Sequence, residues 1–197
     1  MTESPAIDSE RPSDAADPVL QPALSPPNKR SPTGMHKELL LDDKRLASRL
    51  LQSRVGRDKQ RYDGNTRLLA CIVVSRRQRG AAAVEFLLIS SSKHPTQWIL
   101  PKGGWENDES AAECALREAD EEAGVTGDIV GELGTLDFAS QQGKPCRFYG
   151  FKLAATQVFL DWAENTRQRK WVYLEEAREL LQHRPELVEM VSRAAAL

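Results

Sequence analysis

The chain is poor in the residues that would make it a disulfide-built, zinc-built or membrane-spanning protein. Cysteine occurs only three times in 197 residues, at Cys71, Cys114 and Cys146, with no CxxC spacing and no neighbouring histidine. That excludes a disulfide framework and a zinc site, so the thiols read as buried groups in a reducing compartment. The three histidines, His36, His94 and His183, are as scattered. No apolar run approaches the roughly 18–20 residues of a membrane span. The N-terminus carries neither the basic start nor the apolar core of a secretory signal. These absences point to the cytoplasm, with the nucleus as a second location.

Aromatic residues are missing from the first 61 positions, since all twelve lie from Tyr62 onward. Seven of the eleven prolines crowd instead into residues 1–34. Such a segment cannot bury enough apolar area to offset its ordering entropy, and residues 1–34 read as a disordered tail. Residues 35–60 differ: Leu39, Leu46 and Leu50 share a helical stripe with Leu40, Ala47 and Leu51. From Met35 to Arg61 there are eight bases and four acids, so this is a basic amphipathic helix or linker. It can pack on the domain or dock a partner or membrane surface.

Residues 61–197 make one domain of ordinary size. Strand-like runs fall at 67–75, 84–90, 97–100, 133–138 and 146–154, and helical patterns at 110–123, 174–182 and 185–195. A basic turn at 76–80 joins the first two strands, which suggests a hairpin. Strands mixed with segregated helices imply an α/β or α+β layer fold.

The net charge of −2 hides a dense acidic element. Residues 106–122 hold eight acids and only Arg117 as a base, which leaves +5 on the rest of the chain. Ser110 followed by Glu113 is a capping-box signature, and Gly124 supplies the stop, so the helix spans the acidic run. At about 100° per residue, Glu118, Glu121 and Glu122 fall on one arc, beside an apolar face of Ala112, Ala115, Leu116, Ala119 and Ala123. No lysine lies between Gly103 and Gly124 to relieve the repulsion. The cluster is either a solvated acidic face or a platform for a hard divalent cation such as Mg²⁺ or Mn²⁺.

The wider spacing favours the platform. Gly103, Glu109, Arg117, Glu118, Glu121, Glu122 and Gly124 stand in the register of the Nudix box, and the chain resembles the Nudix hydrolases. Their substrates are diphosphates linked to a further moiety. The resemblance implies an α/β/α sandwich with a mixed sheet, with the box as a loop–helix–loop. It also implies Glu118, Glu122 and Glu121 as metal ligands, with Glu121 as the metal-linked general base. Arg117 pairs with Glu109 in this reading, a structural role shared with Gly124. Ala119 stands where the family places a bulkier aliphatic residue. The metal would neutralise phosphate oxygens and lower the pKa of the attacking water.

The flanks point to a subfamily. SSSKHPTQWILPKGGWENDE at 90–109 and LDWAENTRQRKWVYLEEARELLQHRPELVEM at 160–190 resemble the diphosphoinositol polyphosphate phosphohydrolases, which also cleave diadenosine polyphosphates. The likeness is strongest to the fungal branch, where a lysine precedes the paired glycines, as in Pro101-Lys102-Gly103-Gly104. It implies substrate contacts from Arg67, Ser91, Ser92, Lys93, Lys102, Gly103, Arg167 and Arg184. Taken singly, each of these bases reads as a surface charge; jointly they suit a compact polyanion.

Gln141 and Gln142 stand where relatives carry more basic residues, and Lys144 or Arg147 could substitute. The basic insertion at 76–82 reads as a solvated turn. The expected partner is a small polyanion bound by a monomer. RNA caps and linear polyphosphate are the alternative substrates. A sensor that binds inositol polyphosphates without turnover is the alternative class, though its mark would be a degenerate box.

Overall fold

The run LLACIVVS at 68–75 is apolar at nearly every position, a pattern that suits a strand covered on both faces. A computed structural model describes Gly56 and residues 58–197 of the chain. The tail at 1–34 lies outside the described residues, as does the basic amphipathic segment apart from its last few positions. In the structure β2 (Thr66–Arg76) buries residues 68–75 without interruption. Successive strand side chains point to opposite faces, so both faces of β2 must be covered.

The sheet runs β4-β3-β2-β7-β6, from β3 (Glu85–Ser90), β4 (Trp98–Ile99), β6 (Val125–Ala139) and β7 (Pro145–Val158). β2 and β7 pair in parallel while the other pairings are antiparallel, which makes the sheet mixed. The second edge of β2 is divided. Ser75 and Arg76 pair with β3, Leu69–Cys71 with β5 (Lys102–Gly104), and Thr66 and Arg67 with β1 (Tyr62–Asp63). β8 (Arg169–Val172) adds to the other side of β3. Helix α1 (Ala111–Ala123) packs on β2 and β5. Helices α2 (Leu174–Leu181) and α3 (Pro185–Ala196) pack on each other, with α2 against β3 and β4 and α3 against β2, β6 and β7. This is the α/β fold with a mixed sheet expected from the sequence. No helix among the described residues is long and apolar enough to cross a membrane.

The ends of α1 follow the sequence signals. Ser110 caps it, with its hydroxyl accepting from the Glu113 N–H and the Glu113 carboxylate accepting from the Ser110 N–H. Gly124 ends it in the left-handed region at φ +60°. The buried face is rotated from the one expected. Leu116 is 37 % exposed and Ala112 only half-buried, whereas Cys114, Glu118 and Glu122 turn inward with Ala115, Ala119 and Ala123. Gly103 in β5 makes room for one of these carboxylates: without a Cβ, its backbone leaves space for the Glu118 side chain.

Three short strands, β1, β5 and β8, lie outside the expected runs, and β6 is longer than expected. β6 begins at Val125 rather than 133, because long antiparallel pairing with β7 overrides the weak propensity of its glycines. Register shifts at Thr126/Gly127, Ile129/Gly131 and Glu132/Gly134 absorb those glycines as bulges. β5 runs through the two motif glycines, and β8 is a four-residue strand opened by two bases. The hairpin between β2 and β3 is present as expected.

Candidate active site

Arg117 organises the carboxylates of the box. Its guanidinium grips Glu109 with two parallel bonds, Nε to Oε2 at 3.0 Å and Nη2 to Oε1 at 2.8 Å. Its Nη1 donates to Glu118 Oε1 at 2.7 Å and to Glu121 Oε2 at 3.3 Å, and Nη2 also reaches the Gly104 carbonyl. The pairing of Glu109 with Arg117 expected from the motif is therefore present. Burial acts to raise the Glu109 pKa, but Arg117 and the Glu106 N–H overcome it and hold the carboxyl below the usual glutamate range.

Glu118 and Glu122 lie deeper, each 7 % exposed. Burial, reinforced by the neighbouring Glu122 charge, pushes the Glu118 carboxyl up to about 8. Burial likewise raises Glu122 against the pull of Lys102 and Arg167. The Glu122 Oε2 accepts from the Lys102 main-chain N–H at 2.9 Å, and its Oε1 accepts from Arg167 Nη2 at 2.7 Å. Gly103 explains itself here: an ideal Cβ on it would stand 1.9 Å from Glu118 Oε1. The motif glycine is the space in which the Glu118 carboxylate sits.

These residues fit a hard divalent cation. Two buried carboxylates lie near enough that the Glu122 charge raises the Glu118 pKa, and a cation relieves that repulsion. Among the described residues no three histidine, cysteine, aspartate or glutamate side chains cage an ion by themselves.

Glu122 reaches the floor of a cavity of about 450 Å³. All eight residues expected to contact substrate line it. Arg67 enters from β2 and Lys102 and Gly103 from β5. Ser91, Ser92 and Lys93 come from the loop after β3, Arg167 from the segment before β8, and Arg184 from the turn before α3. Arg67 Nε is held by the Gln60 amide oxygen at 2.8 Å, and Arg184 pairs with Glu186. Glu118 and Glu121 lie beside the cavity wall rather than in it.

The choice between Lys144 and Arg147 falls to Lys144. Lys144 lines the cavity, whereas Arg147 is tied to Asp137 at 2.6 Å and to Asp63 at 3.1 Å. Arg76, in the basic turn, pairs with Glu85 and stacks 4.0 Å over Trp171, away from the site. Sequence reasoning missed the apolar end of the cavity, formed by Tyr62, Leu69, Phe138, Pro145 and Phe148. Phe138 and Phe148 touch at 4.3 Å between ring centroids. Their alternation in the β6–β7 hairpin was the available signal, but its register, Phe138 opposite Cys146, exists only once the strands pair.

Comparison with known proteins agrees with this architecture. The family profile described as the NUDIX domain matches residues 65–194. "Nudix hydrolase 21, chloroplastic" from Arabidopsis thaliana is 44 % identical over 137 residues, covering 68 % of this chain and 69 % of that protein. A diphosphoinositol polyphosphate phosphohydrolase from Homo sapiens is 39 % identical over 113 residues, covering 55 % of this chain and 61 % of that protein. Among solved structures, a NUDIX hydrolase from Nitrosomonas europaea superposes with a TM-score of 0.56 at 19 % identity, over 66 % of this chain and 89 % of that one. With the box carboxylates gathered beneath a cation-rimmed cavity and the profile spanning the domain, the chain belongs to the Nudix hydrolase family.

Proposed function

We propose that this Nudix hydrolase uses Mg²⁺, or Mn²⁺, to cleave phosphoanhydride bonds in inositol pyrophosphates and diadenosine polyphosphates. One observation carries the reading: Glu122 lines a cavity whose cations come from several separate elements, namely Arg67, Lys93, Lys102, Lys144 and Arg184. A compact, densely charged ligand is recognised by bases converging from several directions. The likeness to the human diphosphoinositol polyphosphate phosphohydrolase supports the same class. The apolar end at Tyr62 and Phe138 favours dinucleotides as co-substrates, because a purine can stack on these accessible rings.

In this mechanism Glu118 and Glu122 would hold the cation, with Glu121 completing the carboxylate set. When bound, the metal would supply neutralisation of phosphate oxygens and a lowered pKa for the attacking water. Glu121 would act as the general base, the role that the resemblance to the Nudix box implies, with its carboxylate accepting from Arg117 at 3.3 Å. Arg117 donates to both Glu118 and Glu121 and so fixes their positions, while Lys93, Lys102 and Lys144 orient the phosphates.

The test is phosphate release from diphosphoinositol pentakisphosphate and from diadenosine hexaphosphate with Mg²⁺. Turnover of either supports the assignment, and Glu121→Gln is expected to lower kcat by about 10²–10⁴-fold with little change in substrate affinity. Activity confined to capped RNA or linear polyphosphate would overturn the substrate class. Binding without turnover of any diphosphate would make the protein a sensor instead.

A further inference from the structure

The box provides one arginine for its carboxylates, and Arg117 is committed to Glu109, Glu118 and Glu121. Glu122 is held from outside the box. Arg167 Nη2 donates to Glu122 Oε1 at 2.7 Å, its Nε to Glu164 Oε2 at 2.7 Å, and its Nη1 to the Ser90 carbonyl at 3.1 Å. The side chain is buried, and its three acceptors belong to α1, to the segment preceding β8 and to the end of β3.

The surrounding backbone is clipped to the same elements. The Phe159 N–H donates to the Gly124 carbonyl at 2.9 Å, and the Glu164 N–H donates to the Glu121 carbonyl at 3.1 Å. The Gln168 N–H donates to Ser90 Oγ at 2.9 Å. A planar fork bonded in three directions cannot swing toward a phosphate without giving up its bonds to Glu122, Glu164 and the Ser90 carbonyl together.

We propose that Arg167 is a positioning residue, which, braced by Glu164, aims the Glu122 carboxylate for the divalent cation rather than contacting the substrate itself. This rests on the reading of Glu122 as a metal ligand given under the proposed function. A fixed guanidinium beside Glu122 sets which oxygen faces the metal, as outer partners of metal ligands do. Glu164 supplies the second anion that keeps the guanidinium in place, so its influence on the metal runs through Arg167.

The full-length protein tests this with two probes: Mn²⁺ titration followed by the electron paramagnetic resonance signal of the free ion, and calorimetric binding of inositol hexakisphosphate in excess EDTA. Arg167→Ala and Glu164→Gln are expected to weaken Mn²⁺ binding about 10–100-fold. Both should leave the affinity for inositol hexakisphosphate within about threefold of wild type, on the scale of an uninvolved exposed charge. Arg167→Lys keeps the charge but loses the three-way fork, so Mn²⁺ binding should stay about 10-fold weak.

A phosphate-binding Arg167 would behave in the opposite way. Arg167→Ala would lose the polyanion and keep Mn²⁺, and Glu164→Gln would tighten the polyanion; either result overturns the proposal. If Arg167→Ala does not fold, Glu164→Gln decides, because it leaves no buried charge unpaired. Glu122→Gln separates the two readings. Wild-type Mn²⁺ affinity in that variant removes Glu122 from the ligand set, and the proposal with it. A loss there, with Glu164→Gln and Arg167→Lys unaffected, overturns the positioning role alone.

Discussion

Replacing Gly103 by alanine tests the link between a backbone glycine and metal binding. The new Cβ would stand 1.9 Å from Glu118 Oε1, 2.1 Å from Cδ and 2.4 Å from Oε2. Ordinary contact needs about 3.5 Å, so the carboxylate must retreat by roughly 1.5 Å. The retreat breaks its 2.7 Å bond to Arg117, of a kind worth about 1.5–3 kcal/mol. Overpacking costs about 1–3 kcal/mol, which a domain stable by about 5–15 kcal/mol survives.

Metal affinity should not survive. Displacing a ligand costs at least the roughly 10–100-fold lost when a supporting partner is removed. The neighbouring Gly104→Ala is the control: its Cβ meets Gln60 Oε1 at 2.1 Å, the far end of a flexible side chain. That change disturbs the Gln60 bond to Arg67 and so should raise KM while Mn²⁺ binding holds. Mn²⁺ titration and steady-state kinetics on the two variants decide the matter. Gly103→Ala with Mn²⁺ affinity as strong as that of Gly104→Ala would refute the reasoning.

Three further outcomes are expected. Glu109→Ala should destabilise the protein by about 1.5–3 kcal/mol at neutral pH, because it removes the two parallel bonds that Glu109 accepts from the part-buried Arg117. The Glu109 carboxyl is held below its ordinary value of 4.5, so the stabilisation is fully present above that pH and fades as pH falls through the lowered value. Urea titrations at pH 7 and pH 3 should therefore show the gap to wild type narrowing in acid. Gly124→Ala combines a left-handed conformation with a Cβ 2.7 Å from Trp162 Cγ. It should cost about 2–5 kcal/mol in thermal unfolding. Finally, Cys71 is fully buried and its thiol is pushed up to about 12 by burial, so it should resist thiol reagents in the native protein and react only on unfolding.

Much of α1 was legible because its determinants are local. The Ser110 cap, the Gly124 stop, and the placement of Glu109 to reach Arg117 depend on residues a few positions apart along one helix and its preceding loop. The long edge strand β6 was only half legible, because its glycines argue against a strand until β7 lies beside them. The eight expected cavity residues came together, yet their linear spacing shows no cavity. Their common wall depends on the divided edge of β2, which brings β1, β5 and the loop after β3 to one place.

By itself, then, the sequence determined the family, the limits of the box helix, and the arc of glutamates that makes a divalent cation the natural partner. Local spacing is sufficient for these, since a helix carries its own periodicity. Tertiary structure alone decided which carboxylates are buried, that Lys144 rather than Arg147 faces the cavity, and that it has an aromatic end. It also decided that Arg167, 45 positions from Glu122, closes onto that carboxylate. Burial and long-range ion pairs depend on which segments meet across the sheet, and in a mixed sheet those meetings are set by pairing between strands far apart in the chain.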